Sequence, residues 1–201
     1  MKPKILVVDC TSEKLHFPEF VQPVLDAIQG SGSAKKSSKS GFDYSVVHCS
    51  KLTERQALNA QALILTGTSL ADNAYLKNIS KFNFLKNYEK PVLGICAGMH
   101  IIANVFGAKI EKRKSAEIGN IKVEISKDDS LFAGMGNEFI AYALHNNSAT
   151  LPKNFILLAS SQQCRVQAFR HKSKPIYGVE FHPEVGSKKV LVNWLGIAKS
   201  E

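Results

Sequence analysis

The chain has 201 residues, of which 44% are hydrophobic, and its formal net charge is +9. This length and composition are typical of one globular domain with a sizeable core, so we expect residues 1–201 to form a single domain. The basic residues are scattered, and no run of aromatic residues is interleaved with them. The charge therefore indicates a solvated surface, and nucleic-acid binding is not expected.

Four cysteines, Cys10, Cys49, Cys96 and Cys164, lie far apart and form no C-x-x-C pair. This spacing argues against a zinc site and against a dense disulfide framework, and it fits a reducing cytoplasm. The segment 1–4 leads directly into an apolar run. No signal peptide and no apolar run of membrane-spanning length is visible. We therefore expect a cytoplasmic protein that binds no metal, cofactor or membrane.

The first half of the chain alternates strand and helix patterns. The predicted strands are residues 5–9, 44–48, 62–66 and 92–95. The predicted helices are residues 17–29, 53–60 and 75–88, followed by one that starts at residues 99–106. Pro23 would break or kink the first helix unless it lies in the first turn. The basic, Gly- and Ser-rich segment 30–41 is interpreted as a surface loop.

The second half is rich in strand patterns, at residues 121–125, 139–143, 156–160, 166–170 and 176–181. Residues 144–148 are predicted as a polar loop after a strand. A last helix is predicted over residues 187–199, with Val190, Leu191, Trp194 and Leu195 facing inward. Together the two halves predict an α/β fold with a doubly wound, mostly parallel sheet, extended into a mixed sheet and flanked by helices.

A nucleophile motif lies between the fourth predicted strand and its helix. Cys96 stands between Gly94 and Gly98, which is the spacing of a nucleophile elbow with Cys in place of Ser. The N–H groups at a helix start favour a thiolate and can receive an oxyanion. The alternative interpretation is a buried cysteine in a glycine-rich connection.

A histidine and a glutamate follow the strand at residues 176–181. His182 and Glu184 are two residues apart, so Glu184 can hold the imidazole while His182 faces elsewhere. A cysteine nucleophile needs such a base and such an orienting carboxylate. The alternative is a loop histidine beside a solvated glutamate. Because function gathers at the carboxyl ends of parallel strands, residues 67–72 are a candidate wall of the same site.

The two motifs in this order resemble the class I (triad-type) glutamine amidotransferases, which carry G-x-C-x-G-H-Q and later F-H-P-E and have a flavodoxin-like fold. Within that family, residues 91–98, 160–169, 171–172 and 174–185 are most similar to the separate glutaminase subunit of archaeal GMP synthase. The resemblance implies a Cys-His-Glu triad of Cys96, His182 and Glu184. Cys96 would attack the side-chain amide of glutamine and form a γ-glutamyl thioester, while His182 protonates the leaving ammonia.

The resemblance also implies an oxyanion hole and a substrate site. The oxyanion donors would be the backbone N–H of Ala97 and the turn Gly67-Thr68, and the glutamine backbone groups would be held at His145, Asn146 and Asn147. Three positions depart from the family pattern. Thr68 replaces the second glycine of the oxyanion turn, Met99-His100 replaces His-Gln, so that His100 takes the place of a substrate-binding Gln, and only residues 185–186 precede the last helix.

No ATP-binding or acceptor domain is expected in 201 residues. The implied function is therefore a glutaminase, a hydrolase and ligase subunit that supplies ammonia to a separate ATP-dependent synthetase, with GMP synthase in purine biosynthesis as the candidate. Two alternatives stay open. His100 favours a Cys hydrolase that acts on another γ-glutamyl amide, and Thr68 favours a binding or regulatory homologue with weak catalysis.

Overall fold

The computed structural model describes residues 4–30 and 41–200, and this part of the chain contains nine β-strands and five α-helices. The strands are β1 (Lys4–Asp9), β2 (Asp43–His48), β3 (Ala62–Leu65), β4 (Val92–Ile95), β5 (Ile110–Ile125), β6 (Glu138–Ala149), β7 (Phe155–Ser161), β8 (Ala168–His171) and β9 (Ile176–Val179). The helices are α1 (Phe17–Phe20), α2 (Gln22–Gln29), α3 (Glu54–Asn59), α4 (Ala97–Val105) and α5 (Lys188–Ser200). Short 3₁₀ turns lie at Lys14–His16, Cys49–Lys51 and Ser130–Phe132, and a long 3₁₀ segment covers Ala74–Asn87.

The nine described strands form one sheet in the order β2-β1-β3-β4-β9-β8-β7-β5-β6. The five strands from β2 to β9 are mutually parallel, and the other four continue the sheet in antiparallel pairs. The apolar β-branched runs of β1, β3 and β4 are buried because helices cover both faces of the parallel half. The predicted α/β class with a doubly wound mixed sheet is confirmed.

The helices form two layers, one on each face of the sheet. Helices α2 and α5 pack on one face, where Trp194 is fully buried. Helices α3 and α4 and the 3₁₀ segment pack on the other face, where Phe82 and Ile101 are fully buried. The predicted inward positions of α5 are all buried: Val190, Leu191, Trp194 and Leu195.

Three predicted helices differ from the structure or are refined by it. The helix predicted at 17–29 is divided at Val21, and Pro23 lies in the first turn of α2, where its missing N–H costs nothing. Thr53 caps α3 in a capping box with Gln56, as the predicted cap position requires. The helix predicted at 75–88 is instead the 3₁₀ segment Ala74–Asn87.

The polar loop predicted at residues 144–148 is wrong, because this segment belongs to β6. Strand β6 pairs with the long strand β5, with Leu144 opposite Ile118 and His145 opposite Glu117 beyond a bulge. A polar segment can form a strand here because its buried side chain finds a hydrogen-bond partner across the ladder. Residues 31–40 of the predicted basic loop lie outside the described residues. Among the described residues, no helix combines the length and the apolar character that crossing a bilayer requires.

Candidate active site

The predicted strand-turn-helix around Cys96 is present and strained. Strand β4 ends at Ile95, and Cys96 is the N-cap of α4 with φ 47° and ψ −102°. A non-glycine residue in such a conformation costs on the order of 1–3 kcal/mol and persists only where its surroundings fix it. Gly98 allows the close approach of helix and sheet, because a Cβ there would lie 2.2 Å from the carbonyl oxygen of Leu65. The local fold thus presents the thiol at the carboxyl end of the parallel strands.

Pairing of β4 with β9 brings the second motif to the elbow. Ile95 lies opposite Val179, and the N–H of Cys96 donates to the carbonyl of Val179 at 2.8 Å. Beyond β9, the backbone N–H of His182 donates to Tyr142 at 2.7 Å, which fixes the turn. The two predicted partners meet there, since Nδ1 of His182 and Oε1 of Glu184 are 2.7 Å apart and both side chains are fully buried.

The turn at Gly67 is the place where the two motifs meet. A Cβ on Gly67 would lie 2.5 Å from Cε1 of His182 and 3.6 Å from Cβ of Cys96. Both side chains therefore flank the same small residue. Nε2 of His182 is buried and has no hydrogen-bond partner among the described residues. This nitrogen is consequently free to exchange a proton with a neighbouring thiol.

The electrostatic surroundings favour a neutral thiol on Cys96. Burial raises its pKa, and the nearby charges of Glu180 and Glu184 raise it further. The backbone N–H groups of Ala97 and Thr68 donate toward the sulfur and lower the pKa, but the net shift is upward. These two N–H groups are the predicted oxyanion donors, and both lie beside the sulfur.

The same carboxylates strengthen His182 as a base. Burial lowers the pKa of His182, but the charge and hydrogen bond of Glu184, together with the charge of Glu180, outweigh the burial and raise the pKa. A buried neutral thiol beside a strengthened imidazole can transfer its proton during nucleophilic attack.

A cavity of about 240 Å³ lies beside the thiol. Its walls are the turn after β3, the start of α4 and the end of β6. The structure thereby brings together the predicted oxyanion and substrate-binding positions, since the lining includes Thr68, Cys96, Ala97, His100, His145, Asn146 and Asn147. Their roles in binding a substrate stay predictions, as do the roles of Cys96, His182, Glu184 and Gly67 in catalysis.

The imidazole of His100 is held at both nitrogens. Its Nδ1 is 2.7 Å from the hydroxyl of Tyr75, and its Nε2 is 2.8 Å from the carboxylate of Glu180. The ring therefore has no nitrogen left for a ligand. If His100 contacts a substrate, it does so through carbon atoms or by holding its neighbours.

His145 belongs to a second buried cluster, at the β5–β6 bulge. Glu117, His145 and Cys164 place ligand-type atoms within 4.8 Å of one another. The carboxylate of Glu117, however, already accepts hydrogen bonds from His145 at 2.8 Å, Ser161 at 2.7 Å and Gln167 at 2.8 Å. These bonds account for the clustering, and the cluster supports one wall of the cavity.

Three side chains at the site were not found by sequence reasoning: Asp72, Tyr75 and Glu180. Asp72 accepts from the hydroxyl of Thr68 at 2.5 Å and from the N–H of Ser12 at 2.8 Å, which anchors the oxyanion turn. Glu180 could have been found as an acid inside an otherwise apolar strand pattern. Tyr75 gives no signal in the sequence, because buried tyrosines are common in cores.

A family model described as "Glutamine amidotransferase class-I" matches residues 27–194. The chain belongs to this family. Two relatives, both named as glutamine-hydrolyzing subunits of GMP synthase, show the degree of similarity. The one from Thermoplasma acidophilum is 38% identical over 122 residues, which are 58% of this chain and 61% of the relative. The one from Pyrococcus abyssi is 36% identical over 138 residues, covering 67% and 71% of the two chains.

Solved structures agree with this membership. One from Thermoplasma acidophilum, described as a GMP synthase subunit, has a TM-score of 0.83 and 29% identity, and the match covers 100% of this chain and 96% of the other. A glutamine amidotransferase from Thermotoga maritima has a TM-score of 0.69 and 23% identity, covering 100% and 84%, and supports the fold alone. In sequence, the match spans about 61% of the Thermoplasma relative's length.

Proposed function

We propose that this amidotransferase is a glutaminase that hydrolyses glutamine and passes the ammonia to a separate ATP-dependent synthetase. The observation that carries the proposal is the arrangement around Cys96. The strained thiol has the N–H groups of Thr68 and Ala97 on one side and shares the Gly67 turn with the buried His182–Glu184 pair. Such a site combines a nucleophile, a base, an orienting carboxylate and two oxyanion donors.

The first chemical step forms a bond between Sγ of Cys96 and the side-chain amide carbon of glutamine. The thiol proton moves to Nε2 of His182 as the bond forms, because this nitrogen has no partner among the described residues. The carbonyl oxygen becomes an oxyanion that accepts hydrogen bonds from Thr68 and Ala97. One such donor contributes roughly 10²–10³ in rate in acyl transfer.

The second step breaks the carbon–nitrogen bond. His182 returns its proton to the departing nitrogen, so ammonia leaves and a γ-glutamyl thioester remains on Cys96. Water then attacks the thioester while His182 takes a proton from it. The carbon–sulfur bond breaks, and glutamate leaves as the thiol regains its proton. Glu184 stabilises the imidazolium in both halves of the cycle.

The partner is proposed from the names of the relatives, which are subunits of a GMP synthase. A glutaminase chain makes ammonia that is useful only if another chain consumes it. We therefore infer that a separate synthetase, with GMP synthase as the candidate, binds this chain and supplies the ATP-dependent acceptor chemistry. The catalytic apparatus proposed above lies within the residues matched by the family model.

A second function has one specific observation in its favour. Both ring nitrogens of His100 are occupied by Tyr75 and Glu180, so the pocket differs from one in which a glutamine side chain at this position contacts the substrate. A pocket altered in this way would suit hydrolysis of another γ-glutamyl amide by the same Cys96 chemistry. Competing turnover of glutamine and of γ-glutamyl anilides separates the two functions.

The test is glutamate release from glutamine by the purified chain, by itself and with the ATP-dependent chain of a GMP synthase. Cys96→Ala should abolish release, and Cys49→Ala, a buried cysteine outside the cavity, should retain it. Labelling of Cys96 by a glutamine-shaped chloroketone, read by mass spectrometry, is measured in parallel. Absence of both labelling and release in the presence of the synthetase would overturn the proposal.

A further inference from the structure

Three buried side chains behind the cavity form a chain of hydrogen bonds that the reaction above does not use. The hydroxyl of Tyr75 lies 2.7 Å from Nδ1 of His100, and Nε2 of His100 lies 2.8 and 3.0 Å from the two oxygens of Glu180. Each of the three side chains is at most 2% exposed. Tyr75 and His100 also line the cavity beside Cys96.

The direction of these hydrogen bonds follows from the chemistry of the groups. A carboxylate only accepts, so Nε2 of His100 carries the proton that faces Glu180. In the neutral ring, Nδ1 then has a lone pair and accepts the hydroxyl proton of Tyr75. Burial and the nearby thiol charge raise the pKa of Tyr75, so the side chain stays a hydroxyl. The result is a tyrosine oxygen whose own proton is committed to His100.

The oxygen of Tyr75 therefore offers lone pairs, and not a proton, to its other neighbours. The side chain of Asn147, another cavity residue, lies close enough to stabilise negative charge on that oxygen. A hydrogen-bond acceptor on the wall of a small cavity selects ligands that carry a donor at the matching place. Glutamine has two kinds of donor, its side-chain amide and its α-ammonium group.

We propose that Tyr75 binds an N–H donor of the amino-acid substrate, and that His100 and Glu180 are positioning residues that hold its hydroxyl as an acceptor. This inference rests on the proposed function, since it assigns the substrate contact within the same site. It also explains the buried Glu180: its carboxylate sets the tautomer of His100 and so the direction of the whole chain of hydrogen bonds. The specificity of the pocket then comes from Tyr75, where His100 itself has no free nitrogen.

The first test compares Tyr75→Phe with Tyr88→Phe in glutamine turnover. Tyr88 is the matched control, because its buried hydroxyl donates to the carbonyls of Ala57 and Ala60, away from the cavity. Loss of one substrate hydrogen bond should raise KM about tenfold in Tyr75→Phe and change kcat by less than about threefold. Tyr88→Phe should leave KM unchanged. An unaltered KM in Tyr75→Phe would overturn the inference.

The second test is a double-mutant cycle between Tyr75→Phe and Glu180→Gln. If Glu180 acts on substrate binding only through the Tyr75 hydroxyl, Glu180→Gln should raise KM in the native background and have no further effect on KM in Tyr75→Phe. Independent, additive effects on KM would contradict the positioning role. Thermal unfolding of each variant identifies any that do not fold, and Tyr75→Phe alone still decides the substrate contact.

A substrate comparison identifies which donor Tyr75 binds. Glutamate γ-methyl ester keeps the α-ammonium group and lacks the amide N–H. A KM increase in Tyr75→Phe with glutamine only assigns the contact to the amide, and an increase with both substrates assigns it to the ammonium group. Failure of the proposed function is seen separately, as absence of turnover and of Cys96 labelling in the native chain with the synthetase. Failure of this inference is native turnover with no KM change in Tyr75→Phe.

Discussion

Two buried histidine–glutamate pairs lie beside the same cysteine and differ in one hydrogen bond. In the pair His182–Glu184, one ring nitrogen is bound to the carboxylate at 2.7 Å and the other has no partner among the described residues. In the pair His100–Glu180, the carboxylate holds one nitrogen at 2.8 Å and Tyr75 holds the other at 2.7 Å. The residue types and the burial are the same.

The difference shows how one kind of pair can do two kinds of work. A histidine with a free nitrogen can take and return a proton, so His182 suits acid–base chemistry. A histidine bonded at both nitrogens is fixed in orientation, and a proton that left it would break a buried hydrogen bond. His100 therefore suits the support of a pocket wall.

The largest effect that follows from this comparison is on kcat. His182→Asn removes the proton acceptor, and we expect a loss on the order of 10⁴ in kcat for glutamine hydrolysis. His100→Asn removes no transferable proton, so its kcat should fall far less while KM rises. Steady-state kinetics of both variants checks this. Equal losses of kcat in the two variants would show that the free nitrogen of His182 does not distinguish the pairs.

Gly67 gives a way to break the site without touching a polar group. A Cβ at this position would lie 2.5 Å from Cε1 of His182, and the turn also carries the N–H of Thr68. Gly67→Ala should displace both groups, and we expect roughly a 10³-fold loss of kcat, since 1 Å of misplacement alone can cost 10²-fold.

The control for this change is Gly196→Ala in helix α5. A Cβ there meets no atom within 4 Å, and alanine favours a helix, so stability should rise slightly and activity should stay unchanged. Kinetics and thermal unfolding are measured for both variants. Full activity in Gly67→Ala would mean that the turn does not pack against the working position of His182.

The sequence was sufficient for the parallel half of the fold. Strands β1, β3 and β4 are short apolar runs, and the elbow at Cys96 has a fixed glycine spacing, so both can be read from neighbouring residues. The meeting of Cys96 with His182 was predicted only through the order of two motifs. The structure supplies its cause, the pairing of β4 with β9.

The polar wall of the cavity could not be predicted in the same way. The segment 144–148 has the composition of a loop, and it forms a strand because Glu117, far away in the sequence, satisfies His145 across the β5–β6 ladder. The chain of hydrogen bonds from Tyr75 through His100 to Glu180 likewise joins three elements that are distant in sequence. Such contacts depend on tertiary pairing, which no local pattern of residues encodes.

The smallest of the three effects tests the origin of the strength of His182 as a base. The carboxylate of Glu184 outweighs burial and raises the pKa of His182, so the acidic limb of the kcat/KM profile should lie above the ordinary imidazole value of about 6.5. Glu184→Gln removes the negative charge, so the pKa of His182 falls and this limb should move to lower pH. The loss of orientation should also reduce kcat by about 10²-fold. The measurement is kcat/KM between about pH 5 and pH 9, with His100→Asn as the comparison, in which the limb should shift less because Glu184 still holds His182. A limb that stays in place in Glu184→Gln would mean that the charge on Glu184 does not set the basicity of His182, and the contrast between the two pairs would then rest on the free nitrogen alone.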